Sequence, residues 1–164
     1  VVRYAYVGPA EVLERSRGQA LGCAITDAEA LREYLGSAPG EQTFTYVVDL
    51  AGCMRLADRH AEHVACSGGQ PVLAAGELRL QWSRAAVVIA SVTNLSTGYC
   101  PEPSCWPSLA AALAPVGVAV PSGWTRAFEF RRCDACGQRN VIKDDWWVCD
   151  VCEAPLSRRW NFAD

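Results

Sequence analysis

The sequence predicts an α+β protein, an antiparallel β-meander with one covering helix followed by a small C-terminal ribbon, and three observations lead there. Residues 43–92 carry β-rich runs punctuated by glycines, of which Phe44-Thr45-Tyr46-Val47-Val48 is the clearest. Ser104 to Ala114 has a helical pattern, with Ser104 as cap, Pro107 tolerated in the first turn, and Leu109 and Leu113 on one face. Two cysteine knuckles, Cys133-Asp-Ala-Cys136-Gly137 and Cys149-Asp-Val-Cys152, stand twelve residues apart.

Taken in order, Arg3 to Val7 reads as a short strand broken by Gly8-Pro9, and Pro9 to Arg15 as a short helix. Thr26-Asp27-Ala28-Glu29 has the capping-box pattern; Ala30, Leu31, Tyr34 and Leu35 give the following helix an apolar face, and Gly36 ends it. With the loop 37–42, these make an N-terminal segment, 1–42. The core, 43–121, opens with the strand at Phe44, turns at Leu50-Ala51-Gly52 and returns along Cys53 to Arg59. Pro71–Ala75, Glu77–Trp82 and Ala85–Val92 are further strands, and Val116–Val120 is a closing one. Pro121-Ser122-Gly123 is a linker, and the ribbon, 124–164, begins with Phe128-Glu129-Phe130.

A two-residue gap lets both sulfurs of a knuckle face one ion, and Gly137 permits the positive φ that the tight turn needs. Cys133, Cys136, Cys149 and Cys152 therefore read as one closed tetrahedral site. Zn2+ in a structural role is the favoured occupant, and iron has the same spacing requirement. Nine cysteines, odd in number and including this quartet, argue for a reducing compartment over a disulfide framework.

Half of the 164 residues are hydrophobic, enough for a core. No apolar run reaches bilayer length and no leader pattern is present, so a soluble, cytoplasmic protein with no membrane association is expected. Arginine outnumbers lysine fourteen to one, which points to a bacterial genome rich in G and C. The net charge is −3, and from Trp124 onward seven Lys or Arg meet seven Asp or Glu. Charge thus gives no support to nucleic-acid binding, although Arg131-Arg132 and Arg158-Arg159 form local basic pairs.

Both histidines lie in Arg59-His60-Ala61-Glu62-His63-Val64-Ala65-Cys66, and Tyr99-Cys100-Pro101-Glu102-Pro103-Ser104-Cys105 follows later. Together they resemble the zinc nucleobase deaminases, in which an H-x-E segment and a later cysteine pair build the site. That resemblance implies a second metal site at His60, Cys100 and Cys105, with Glu62 moving protons for a cytidine- or adenosine-type deamination. The sequence departs from the pattern by having four residues between the cysteines and a proline after the first.

A second resemblance spans residues 44–101. Gly68-Gly69, Ala74-Ala75-Gly76-Glu77 and Ser96-Thr97-Gly98-Tyr99-Cys100-Pro101 resemble, in order and spacing, a pattern of some bacterial proteins and of plant IQ-motif calmodulin-binding proteins. There the last element reads S-G-H-Y; Thr-Gly replaces Gly-His here, and no IQ motif is present. This resemblance implies a β-meander. The polar residues Glu62, His63, Glu77, Asn94, Ser96, Thr97 and Tyr99 fall near predicted strand ends, where they form a ligand pocket or serve the turns. Glu62, His63, Glu77 and Tyr99 are the catalytic candidates, and Cys100 with His63 as base is a further nucleophile arrangement. The expected function is a bacterial accessory protein with a structural zinc ribbon and a protein partner.

Overall fold

The computed structural model describes residues 1–162. The elements are α1 (Ala10–Ser16), β1 (Cys23–Ile25), α2 (Ala28–Leu35), β2 (Gly40–Val48), β3 (Met54–Asp58), α3 (His63–Cys66), β4 (Ala74–Trp82), β5 (Val87–Val92), α4 (Trp106–Leu113), β6 (Glu129–Arg132) and β7 (Arg139–Ile142). Short 3-10 turns at Pro103–Cys105 and Ala114–Val116 flank α4. The chain is α+β as predicted, with a five-stranded antiparallel sheet and a two-stranded C-terminal ribbon.

The sheet runs in the order β1-β3-β2-β4-β5. The hairpins β2–β3 and β4–β5 are joined side by side through a nine-residue pairing of β2 with β4, from Gly40 opposite Trp82 to Val48 opposite Ala74. Because alternate strand residues point to opposite faces, unbroken burial from Phe44 to Val48 requires cover on both sides. Both α3 and α4 pack on β2. Leu109 and Leu113 of α4 join Tyr46, Leu56, Leu78 and Leu80 in one apolar core.

Several local expectations shift. The cap of α2 is Asp27, whose carboxylate accepts the Ala30 N–H at 2.9 Å, while the Thr26 hydroxyl donates to Asp27. Gly40 to Gln42, expected in a loop, belong to β2 because Trp82 to Leu80 lie opposite them. Gly76 does not divide β4; it lets the strand pass the Thr93 carbonyl, which an added Cβ would approach to 2.0 Å. The closing strand at Val116–Val120 is absent, because the 3-10 turn runs into Gly117 at φ 77°. Arg3–Val7 contributes a single bridge, Tyr4 to Val72, and no strand.

Several contacts join the ribbon to the core, among them the Thr125 N–H donating to the Val92 carbonyl at 3.0 Å. The fully buried Asn94 amide imitates a strand partner: its Oδ1 accepts the Phe128 N–H at 2.7 Å, and its Nδ2 donates to the carbonyls of Phe128 and Pro101 at 2.8 and 2.9 Å. Trp160 donates its indole N–H to the Cys100 carbonyl at 2.8 Å and stands edge-on to Tyr4. A small apolar cluster of Cys100, Phe130 and Phe162 fills the seam.

Replacing Asn94 by Ala leaves the Phe128 amide and two carbonyls without partners. The variant is expected to lose about 2–3 kcal/mol in urea unfolding; a loss below about 0.5 kcal/mol would show that the clamp is dispensable.

Candidate metal centre

The two knuckles are built alike. In the first, the Gly137 N–H donates to the Cys133 carbonyl at 2.8 Å and the Cys133 N–H to the Gln138 carbonyl at 2.8 Å. In the second, the Glu153 N–H donates to Cys149 at 3.0 Å and the Cys149 N–H to Ala154 at 2.9 Å. Gly137 turns at φ 78° and Glu153 at φ 60°, so a glutamate occupies the conformation that glycine takes without strain.

β6 and β7 place the first knuckle between their paired ends, Arg132 and Arg139. The chain then turns at Asp144 and Asp145, both at positive φ, and returns through Val148 to the second knuckle. The four Sγ atoms lie within 4.8 Å of one another, with Cys133 to Cys152 at 3.5 Å and Cys136 to Cys149 at 3.6 Å. A metal–sulfur bond of about 2.3 Å in a tetrahedron sets sulfurs about 3.8 Å apart. The donor set therefore fits one ion held by four thiolates.

Charge leads to the same place. Backbone N–H groups, chiefly that of Cys152 and then that of Val151, pull the Cys149 thiol down to about 6, with Cys136 and Asn140 assisting. The Gln138 N–H also favours ionisation of Cys136, but the sulfurs around it outweigh this and push that thiol up to about 12. Four sulfurs so close cannot all carry charge unless a cation sits among them. Cys133 and Cys149 are buried, and Cys136 and Cys152 are exposed.

Asn140, buried between the knuckles, was not among the sequence candidates. It donates to the Cys149 sulfur at 3.7 Å and accepts the Asp150 N–H at 3.0 Å, so it orients the second knuckle from β7. Its signal in the sequence is a polar amide within a strand between two cysteine pairs.

The other candidates do not gather. Among the described residues the four cysteines are the sole group of His, Cys, Asp and Glu close enough to share an ion. This corrects the expectation of a second site: His60 is exposed beside Glu62 in a cavity of about 230 Å³ with Arg15 and Gln19, while Cys100 is buried in the ribbon seam. Cys105 lies under α4, and burial pushes both thiols up to about 12.

The polar residues expected near strand ends are dispersed in architectural work. His63 sits in the single turn of α3, with Nε2 donating to the Gly76 carbonyl at 2.9 Å. Tyr99 is buried; its hydroxyl donates to the Gln70 carbonyl at 2.7 Å and meets Ser67 at 2.5 Å. The Thr97 carbonyl accepts from Arg139 of the ribbon, and Glu77 uses its carbonyl to accept the Thr93 N–H. Ser96 is buried with its hydroxyl unpaired. Of these residues, Glu62 lines the cavity that it shares with His60.

Four of the ribbon's six guanidinium groups lie over aromatic rings. Arg126 stacks on Phe128, Arg132 on Phe162, and Arg131 and Arg158 on the Trp147 ring. Trp147 and Trp160 are thus packing residues, whereas Trp146 is 64% exposed on the turn. No described helix is long and apolar enough to cross a membrane. No protein-family model, curated protein or solved structure matches the chain.

Burial holds the His63 imidazole neutral, lowering its pKa from 6.5 to about 4. The unfolded chain takes up this proton below about pH 6.5 and the folded chain only near 4. The contribution is therefore complete above pH 6.5 and lost on acidification towards 4. Between pH 7.5 and 4.5, wild type should lose about 2–3 kcal/mol more than His63→Gln, which retains a donor for Gly76; parallel profiles would refute this.

Proposed function

We propose that this chain is a zinc-binding accessory protein, in which one structural Zn2+ in the four-cysteine ribbon fixes the C-terminal segment against the β core. The carrying observation is the convergence of four Sγ atoms within 4.8 Å from two knuckles of matching hydrogen-bond pattern. A closed thiolate set favours zinc, which needs no redox change and accepts tetrahedral sulfur. With all four positions taken by protein there is no place for a substrate, so the role is architectural.

The core supports a scaffold. Within the segment 68–101, Gly76 admits the Thr93 backbone, Tyr99 ties Ser67 to Gln70, and the Pro101 carbonyl receives Asn94. These are roles in holding strands together. A protein is the favoured partner, because Trp146 stands exposed on the turn beside Trp147, and exposed tryptophans are enriched among interface anchors. Nucleic acid is the less favoured partner, because the net charge is −3 and the ribbon carries seven basic against seven acidic residues.

Metal analysis and hydrogen exchange on the full chain test this reading. Wild type is expected to hold one zinc per chain, and Cys149→Ser to hold none and to lose exchange protection at residues 157–162. A metal-free wild type, or a tail equally protected in the variant, would contradict it.

A further inference from the structure

β5 is one outer edge of the five-stranded sheet, with β4 on its inner side. Register and hydrogen bonds together fix which of its backbone groups face outwards. The Ser83 N–H donates to the Ala86 carbonyl at 2.9 Å, so these two residues form a hydrogen-bonded pair at the turn. Antiparallel partners alternate between hydrogen-bonded and non-bonded pairs. Of the next three pairs, Trp82 with Val87, Gln81 with Val88 and Leu80 with Ile89, only the middle one is therefore bonded. The N–H and C=O groups of Val87 and Ile89 point away from β4, and none of the four bonds to a described residue beyond it.

The open stretch has definite ends. Ala90 is the extra residue of a bulge opposite Arg79 and Leu80, which breaks the alternation. At Val92 the edge closes: the Thr125 N–H donates to the Val92 carbonyl and the Thr125 hydroxyl accepts the Val92 N–H, both at 3.0 Å. Exposed edges are ordinarily guarded by a charge or a proline. From Ala85 to Thr93 there is neither, and Val87-Val88-Ile89 is β-branched throughout. Val88 is 52% exposed, with Ala86 and Ala90 exposed on either side of it.

We propose that this edge pairs with the same edge of a second copy of the chain, antiparallel and about a two-fold axis at Val88. Val87 then lies opposite the copy's Ile89, and Ile89 opposite the copy's Val87. These two pairs form four N–H···O=C bonds and use every open group on both chains. An axis at Val87 or at Ile89 would complete one residue per chain and leave the other without a partner. Val88 meets the copy's Val88 across the axis as a non-bonded pair, the arrangement that brings side chains closer. A copy also matches the length of the opening, because its turn at Arg84-Ala85 falls opposite Val92 and Ser91, where Thr125 closes the edge. So short a contact makes a weak interface. The pairing involves neither the metal centre nor Trp146, so it and the ribbon reading can each fail alone.

Sedimentation equilibrium of the full chain from about 10 µM to about 1 mM, with ¹⁵N amide shifts over the same range, tests it. Wild type is expected to dimerise with a Kd on the order of 0.1–1 mM, and the Val87 and Ile89 amides to shift as it does. Val88→Lys and Val88→Glu, each placing like charges across the axis, should stay monomeric and melt within about 3 °C of wild type. An equimolar mixture of the two variants should associate again, since opposite charges then face each other. A wild type that is monomeric throughout the range overturns the proposal, whether the edge stays bare or serves a foreign strand. So does a dimer in which the Val87 and Ile89 amides stay still, a single variant that dimerises like wild type, or a mixture that remains monomeric.

Discussion

The convergence of four sulfurs on one point is the constraint from which the C-terminal quarter of the structure follows. The ribbon's own apolar cluster consists of Cys133, Cys149 and Leu156, with Ile142 and Ala154 partly buried around it. So small a cluster cannot offset the conformational entropy of about 40 ordered residues, a size at which metals or disulfides usually supply the difference. Two of its three buried members belong to the four-sulfur cluster, so the core of the ribbon and the candidate metal centre are the same object. Without an ion to neutralise them, thiolates so close together would repel one another.

What the four-sulfur cluster organises reaches beyond the ribbon. The segment after the second knuckle turns back on itself: Asn161 accepts the Arg132 N–H at 2.8 Å and donates to the Arg132 carbonyl at 2.7 Å. That brings Trp160 to Tyr4 and the Cys100 carbonyl, and Phe162 into the seam beside Phe130. The sheet answers with Asn94, whose amide holds Phe128 and Pro101 together. Each contact is modest alone, but all lie on one seam and depend on the ribbon keeping its shape.

The knuckles were legible in the sequence because two residues between cysteines is itself a geometric instruction, independent of the rest of the chain. The α+β class and the β2–β3 hairpin were legible for a related reason, since periodicity and a short turn act locally. What stayed hidden depends on distant partners. Gly40 to Gln42 look like a loop until Trp82 and its neighbours lie opposite them, and Gly76 looks like a break until the Thr93 backbone is seen to need its missing side chain. β1 is a three-residue edge strand with one buried side chain, too short to show a period. His60, Cys100 and Cys105 carry metal-binding side chains in a suggestive order, but the fold sends them to a surface, a seam and the base of α4. Nothing in residue type or spacing distinguishes these destinations, and Asn140 was overlooked because its role exists only once the second knuckle is in place.

X-ray absorption at the zinc edge of the purified full chain tests the central claim most directly. Four sulfur neighbours at about 2.3 Å and no nitrogen or oxygen in the inner shell are the predicted result. A shell of mixed sulfur and nitrogen or oxygen, or an absence of bound zinc, would contradict the account.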